Sequence, residues 1–351
     1  MKKIKVLLLG ATGSIGSQTC EVLREFSDQF LLVGASANTN IQKLLRLQEE
    51  FSLPRVALFS SPEEKNSQKN ILFKEEGLLR LIRETDADMA ILATSGPLSP
   101  LLAKEIIKSG KHLLLASKEA LVEEGEEILL LAKKHKKKIR PIDSEHSAIW
   151  QCLRSGQQKE VSRIFLTCSG GPFFDVEKWP KSRFSSVTPQ EAVAHPNWSM
   201  GQKISVDSAT LMNKALELIE AVYLFGVLPE KIEVVVHPES FLHSAVEFCD
   251  GSVVGQMGMP DMRIPIAYSL FYPNHPPLLF PKTSFFGKTL TFQKVDEERF
   301  PSLIFARDAL KKKRCKVMNQ ANEQAVLEFI SGKISFTDIF ERVRFAVYGD
   351  V

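Results

Sequence analysis

The chain has 351 residues, 44% of them hydrophobic and 25% charged, and its 45 Lys and Arg against 42 Asp and Glu leave a formal charge of +3. At about 150 residues per domain this is two or three domains with apolar material for a sizeable core, which excludes wholesale disorder. So small a positive surplus argues against a protein that coats nucleic acid.

Lys2, Lys3 and Lys5 ahead of the run Val6–Leu9 imitate a secretory signal, but the run is short and ends in a glycine turn, not a cleavage site. No run approaches the ~18 apolar residues of a membrane helix, so no membrane partner is expected. The five cysteines, Cys20, Cys152, Cys168, Cys249 and Cys315, are scattered, with no Cys-x-x-Cys pair. Neither a disulfide framework nor a structural zinc site is expected, and the natural setting is a reducing cytoplasm.

Over residues 1–143, apolar stretches that read as strands alternate with amphipathic stretches that read as helices. The strands are expected at Ile4–Leu9, Phe30–Ala35, Arg55–Phe59, Met89–Ala93, His112–Ala116 and Lys138–Ile142. The helices are expected at Ile15–Phe26, Gln42–Phe51, Leu98–Ser109 and Glu123–Lys134. This alternation predicts an α/β fold with an N-terminal doubly wound, Rossmann-like parallel sheet. Residues 144–281 read as a central α+β catalytic domain. Its strands are expected at Val161–Thr167, Lys231–Val236, Ser244–Phe248 and Ser252–Gln256, the last two joined through the Asp250-Gly251 turn, and one long helix over Ala209–Leu224. The Pro-rich stretch Tyr272–Pro277 reads as a surface connector, residues 282–300 as a linker, and 301–351 as a short helical region with helices at Ser302–Lys313, Gln320–Ile330 and Thr337–Val347. Two basic clusters, Lys133–Lys138 and Lys311–Arg314, read as cation-rich helix ends. No aromatic platform accompanies them, so nucleic acid is not an expected partner.

Five segments carry candidate chemistry. Gly10-Ala11-Thr12-Gly13-Ser14-Ile15-Gly16 follows a strand and opens a helix, the setting of a dinucleotide loop; alone it could be a tight turn. The end of the second strand, Asn38-Thr39-Asn40, has no carboxylate to repel a 2′-phosphate, and Lys43 and Arg46 follow, which favours NADP over NAD. Asp143-Ser144-Glu145-His146 lies at the carboxyl edge of the sheet. In an extended segment both carboxylates would face one side and suit Mg²⁺ or Mn²⁺; the alternative is a solvated acidic turn. Ser208 reads as an N-cap, after which Asn213, Lys214 and Glu217 share a face of an otherwise apolar helix, either as a surface ion pair or as a phosphate and metal site. Ser169-Gly170-Gly171-Pro172-Phe173 could form an anion-binding nest, and His195 to Gly201, with Trp198, a surface plug or a lid.

In that order, together with Lys118-Glu119, these motifs closely resemble the 1-deoxy-D-xylulose 5-phosphate reductoisomerases, over about residues 4 to 340; the block from His195 to Glu217 is very specific. The resemblance implies a two-stage reaction of the non-mevalonate isoprenoid route. The ketose phosphate rearranges to 2-C-methyl-D-erythrose 4-phosphate, which NADPH reduces to 2-C-methyl-D-erythritol 4-phosphate. It implies Mg²⁺ or Mn²⁺ held by Asp143, Glu145 and Glu217. It implies substrate contacts at Lys118, Ser144, Glu145, Ser169, His195, Trp198, Ser208, Asn213, Lys214 and Glu217, of which Lys118, Glu145, His195 and Glu217 are the expected catalytic set and Trp198 the lid. It implies NADPH contacts at Thr12, Gly13, Ser14, Ile15, Asn38, Thr39, Asn40, Ser117, Glu119 and Gly201. The partner it implies is a sugar phosphate, and the assembly a homodimer.

Three departures stand out. Ser117 replaces the asparagine usual before Lys-Glu, which shortens a polar side chain near the cofactor. Asn38-Thr39-Asn40 replaces a segment that often reads Gly-Lys-Asn, so 2′-phosphate discrimination rests on neutral donors there. The chain stops at Val351, earlier than the family's helical domain usually does, which is expected to leave apolar helix faces exposed. The rival readings are another metal-assisted NADP-linked oxidoreductase and a cofactor-binding protein without turnover.

Overall fold

The computed structural model describes residues 2–60, 70–194, 201–277 and 283–349. The chain forms two compact units. One comprises Met1–Ala120, Glu124–Ser147 and Asp261–Phe280, the other Leu121–Glu123, Ala148–Pro260 and Pro281–Val351.

The first unit is built on a seven-stranded sheet of β1 (Ile4–Leu9), β2 (Phe30–Ala37), β3 (Val56–Leu58), β4 (Ile71–Phe73), β5 (Met89–Leu92), β6 (His112–Leu115) and β7 (Ile139–Pro141). All neighbours are parallel, in the order β4-β3-β2-β1-β5-β6-β7. Val6 to Leu9, Ala90 to Leu92 and Leu113 to Leu115 are wholly buried, as expected of central parallel strands covered on both faces. The expected six strands are present with ends moved by one or two residues. Two elements escaped the sequence reading, the short β4 and the Lys74–Glu84 helix after it. A third is the Arg263–Phe271 helix, which lies next to the Pro-rich stretch yet belongs to this unit. Pro265 sits in its first turn, where a missing N–H costs nothing. Phe271 at its end packs edge-on against Phe26 and Phe30, with centroids 4.7 and 5.0 Å apart, and Arg140 on β7 donates to the Ser269 carbonyl at 2.8 Å.

The second unit carries a five-stranded mixed sheet of β8 (Val161–Cys168), β9 (Ile232–Val236), β10 (Leu242–Phe248), β11 (Val253–Met257) and β12 (Gln293–Lys294), in the order β11-β10-β8-β9-β12. Only β8 and β9 run parallel; the Asp250-Gly251 turn joins β10 to β11 as an antiparallel hairpin. One face of the sheet, with Ile164, Leu166, Val234 and Val246, is buried in a core with the helices. The tail helices Ser302–Lys312, Cys315–Ile330 and Phe336–Tyr348 share that core. Phe336 lies 5.3 Å from Phe173, 5.6 Å from Phe184 and 5.7 Å from Phe329, centroid to centroid. Leu327 and Phe345 on these helices are exposed.

The helix predicted over Ala209–Leu224 is found at Met212–Phe225, and a second helix, Gln202–Ala209, precedes it, the two separated at Leu211. Leu211 takes a left-handed backbone (φ 57°, ψ 14°) while its side chain is buried. Ser208 is therefore the penultimate residue of the first helix and not an N-cap. Its expected capping role fails because no local turn residue announces the break.

Candidate active site

In an open parallel sheet, ligands collect beyond the carboxyl ends of the strands where the strand order reverses, here between β1 and β5. The turn after β1 is held to the end of β2 by Gly10 and Ala11, whose N–H groups donate to the Ser36 carbonyl at 3.1 and 2.7 Å. Its three glycines have different reasons. Gly10 has φ +88°, and a Cβ there would stand 2.3 Å from the Ala93 carbonyl oxygen; one on Gly16 would stand 2.2 Å from the Gly10 carbonyl oxygen. Both are required by backbone packing. Gly13 heads the Ser14–Glu25 helix, and a Cβ there would meet only the Gly10 carbonyl oxygen at 3.6 Å. Nothing among the described residues requires that glycine. Its bare surface, with Ser14 exposed beside it and no side chain capping the helix, leaves the first-turn N–H groups open to an anion, which fits a dinucleotide phosphate.

Asn38, Thr39 and Asn40 are exposed at the end of β2. Asn40 caps the Ile41–Glu50 helix, its Oδ1 accepting from the Lys43 N–H at 3.0 Å. The Lys43 ammonium reaches back to the glycine turn, donating to the Thr12 carbonyl at 3.1 Å and Ser17 Oγ at 2.7 Å. The sequence offered only a lysine three residues past a cap as a sign of this bridge. At the end of β6, Ser117 and Glu119 are buried, and Ser117 Oγ donates to Glu119 Oε2 at 2.9 Å.

Lys118 begins the Lys118–Lys134 helix, and its ammonium pairs with Asp143 Oδ2. Asp143 and Glu145 do not lie on an extended segment, as the sequence reading had supposed. A helix starts at Ser144, the Ser147 N–H donates to the Asp143 carbonyl at 2.8 Å, and Glu145 falls in the first turn. Both carboxylates come to this end of the first unit through a helix start, not through strand alternation. Ser144 Oγ donates to Glu145 Oε2 at 2.5 Å, and His146 Nδ1 stands 3.9 Å from Asp143 Oδ1. Burial by itself would raise the Asp143 carboxyl. The Lys118 ammonium, His146 beside it and hydrogen bonding with Glu145 and Lys118 outweigh that and hold it far below the usual carboxylate range. A carboxylate kept ionised in a buried setting suits a hard divalent cation.

In the second unit, Glu217 is buried and accepts from two neighbours on its own helix, Asn213 Nδ2 at 2.7 Å and the Lys214 ammonium at 2.5 Å. Ser169 Oγ accepts from the Gly171 N–H at 3.3 Å, and Gly170 and Gly171 both have positive φ (86° and 70°). Gly171 lies against the carbonyl of Ser208, which brings the turn after β8 to the end of the Gln202–Ala209 helix. Gly201 heads that helix and is exposed, and a Cβ there would meet no atom of the described residues within 4 Å. His195 and Trp198 lie outside the described residues. Two further residues escaped the sequence reading. Asp207, almost wholly buried, accepts from the Lys203 ammonium at 2.8 Å and from Asn322 Nδ2 at 2.8 Å, which ties the Gln202–Ala209 helix to the Cys315–Ile330 helix. The available signal was the pair Asn319 and Asn322, three apart and in helical register with the apolar Cys315, Met318, Val326 and Phe329.

A family model of 1-deoxy-D-xylulose 5-phosphate reductoisomerase matches residues 6–125, one of its C-terminal domain residues 139–225, and one of the DXP reductoisomerase C-terminal domain residues 257–348. The 1-deoxy-D-xylulose 5-phosphate reductoisomerase of Geotalea uraniireducens is 42% identical over 349 residues, which cover 97% of this chain and 90% of that protein. The chain belongs to the 1-deoxy-D-xylulose 5-phosphate reductoisomerase family. The reductoisomerase of Protochlamydia amoebophila is 43% identical over 343 residues, 95% of this chain and 88% of that one. Solved reductoisomerase structures share the fold. That from Zymomonas mobilis, in complex with NADPH, matches with a TM-score of 0.91 and 35% identity over 100% of this chain and 93% of its own. A DOX-P reductoisomerase in complex with NADPH, fosmidomycin and magnesium matches with a TM-score of 0.92 and 37% identity over 99% and 90%.

Proposed function

We propose that the chain converts 1-deoxy-D-xylulose 5-phosphate to 2-C-methyl-D-erythritol 4-phosphate, a metal-assisted skeletal rearrangement followed by hydride transfer from NADPH, in isoprenoid precursor biosynthesis. The observation that carries this reading is the 42% identity to a reductoisomerase over 97% of the chain. It is joined by the structural likeness to a reductoisomerase that binds NADPH and magnesium.

The residue roles are those the resemblance implies, and the chemistry of the side chains agrees with them. Asp143, Glu145 and Glu217 are the ligands of one divalent cation, Mg²⁺ or Mn²⁺. When bound, such a cation polarises adjacent carbonyl and hydroxyl oxygens and stabilises charge that develops as the carbon–carbon bond breaks. Lys118 keeps Asp143 ionised and supplies a cation at the reacting end. Lys214, with Ser169, Ser208 and Asn213, binds the phosphate, so that binding energy remote from the chemistry holds the reacting end in place. Ser144 orients Glu145 through its hydroxyl. Thr12 to Ile15, Asn38 to Asn40, Ser117, Glu119 and Gly201 form the NADPH berth. His195 contacts substrate, and Trp198 covers it and excludes water.

The chain also forms a homodimer in this reading. Support comes from the open face of the second sheet, where a groove of about 430 Å³ is lined by Phe165, Val235, Ala245, Val253 and Phe292. Val253 and Phe292 are more than half exposed. An apolar sheet face of this kind is a candidate interface. Light scattering on the purified chain tests it: a monomer at micromolar concentration overturns the dimer and leaves the activity untouched.

The activity is tested by NADPH oxidation, followed by absorbance, with deoxyxylulose phosphate and Mg²⁺. Turnover with this substrate that chelator abolishes and Mg²⁺ restores is expected. Turnover only with other carbonyl compounds, or none in a folded protein, overturns the reading.

A further inference from the structure

We propose that Lys43 reads the 2′-phosphate of the dinucleotide and sets the preference for NADPH over NADH in this chain. The inference rests on the NADPH-dependent reading above and assigns a residue to its cofactor specificity.

A dinucleotide fold places the adenosine ribose at the end of β2, where NAD-specific chains put an acidic side chain. Here that stretch carries only Asn38, Thr39 and Asn40, all exposed and neutral. Neutral donors can accept a 2′-phosphate but cannot offset its charge. A cation of fixed position follows in Lys43. Its backbone is anchored in the first turn of the Ile41–Glu50 helix by the Asn40 cap, and its ammonium spans from there to Thr12 and Ser17 at the glycine turn. Both acceptors it meets are uncharged, and among the described residues no carboxylate pairs with it. A partly buried ammonium held by neutral oxygens has no opposite charge beside it among these contacts, so a phosphate would add an ion pair to its hydrogen bonds. The Asn40 cap uses only Oδ1, which leaves its amide N–H groups as donors at the end of β2. Lys43 thus supplies the charge missing from the three residues that precede it.

The bridge to Thr12 and Ser17 also gives Lys43 a bracing role in the turn, and the test separates the two. In the full-length chain, dissociation constants for NADPH and NADH are measured by nicotinamide fluorescence for the unaltered protein, Lys43→Met and Lys43→Arg, with adenosine 2′,5′-bisphosphate as a competing probe. Lys43→Met is expected to weaken NADPH and the bisphosphate roughly 10- to 100-fold, the range for losing one hydrogen bond to a charged group, and to leave NADH within about 3-fold. Lys43→Arg is expected to restore most of the preference. Equal weakening of NADPH and NADH shows bracing or pyrophosphate contact and overturns the proposal, as does an unchanged preference in Lys43→Met. If the unaltered chain binds neither dinucleotide, the NADPH reading itself fails, and that outcome is told apart by the unaltered protein alone.

Discussion

Gly171 lies directly against the main chain of Ser208: a Cβ on Gly171 would stand 2.6 Å from the Ser208 carbonyl oxygen, and its φ of +70° is one that side chains avoid. The contact fixes the turn that carries Ser169 against the helix end that carries Ser208, two residues assigned to the substrate phosphate.

Gly171→Ala should therefore act on the sugar phosphate. Left-handed strain of about 1–2 kcal/mol plus the clash must displace one of the two segments. KM for deoxyxylulose phosphate is expected to rise at least ~10-fold while the Kd for NADPH is unchanged. A lower melting temperature with an unaltered KM would show that the contact is only structural.

The glycines of the first turn should behave as opposites. Gly16→Ala places a methyl 2.2 Å from backbone and should destabilise the protein by roughly 2 kcal/mol or more. Gly13→Ala meets its nearest protein atom at ordinary contact distance, so the melting temperature should stay within a degree or two. NADPH affinity should nonetheless fall ~10-fold or more as the methyl occupies the cofactor's approach. Thermal melts and fluorescence titration on both variants decide it; tight NADPH binding by a folded Gly13→Ala protein would refute the phosphate turn.

Glu217→Gln keeps the size of the side chain and removes its charge. It leaves the buried Lys214 ammonium facing a neutral amide, and loss of one member of a buried pair costs about 3–5 kcal/mol. Turnover should drop by about 10²-fold or more, and the Mg²⁺ concentration for half-maximal rate should rise. Circular dichroism confirms folding; near-normal turnover in a folded variant would falsify the metal role.

The last helix is capped by a reciprocal pair. Ser335 Oγ accepts from the Asp338 N–H, and Asp338 accepts from the Ser335 N–H at 2.8 Å. The backbone hydrogen bond from Ser335, then its hydroxyl, hold the Asp338 carboxyl below its ordinary value. A lowered carboxyl adds stability that is present above its unfolded value, about 4, and is lost as pH falls through the folded one. Asp338→Asn should lower the urea midpoint at pH 7, by less at pH 3.5, and Ser335→Ala should cost about 1 kcal/mol. A gap that stays constant with pH would remove the ionised cap from the account.

The alternation of apolar strands and amphipathic helices announced the first sheet because central parallel strands are buried on both faces and must read as unbroken apolar runs, as Val6–Leu9 and Leu113–Leu115 do. The same local pattern put Asn213, Lys214 and Glu217 on one helix turn, since residues three and four apart always meet there. The composition of these segments, and the resemblance their order carries, thus needed no coordinates.

Long-range packing settled the rest. Leu211 breaks a helix that its neighbours favour, with no glycine or asparagine to mark the spot; its side chain is buried, and burial can repay left-handed strain that sequence statistics cannot foresee. Asp143 and Glu145 share one end of the first unit because a helix starts between them, and Lys118, 25 residues earlier, reaches Asp143 only because β6 and β7 are neighbours. Lys43 meets Thr12 across 31 residues for the same kind of reason. Periodicity fixes which residues share a local face; which faces meet depends on strand order, and strand order is a property of the assembled sheet and not of any segment within it.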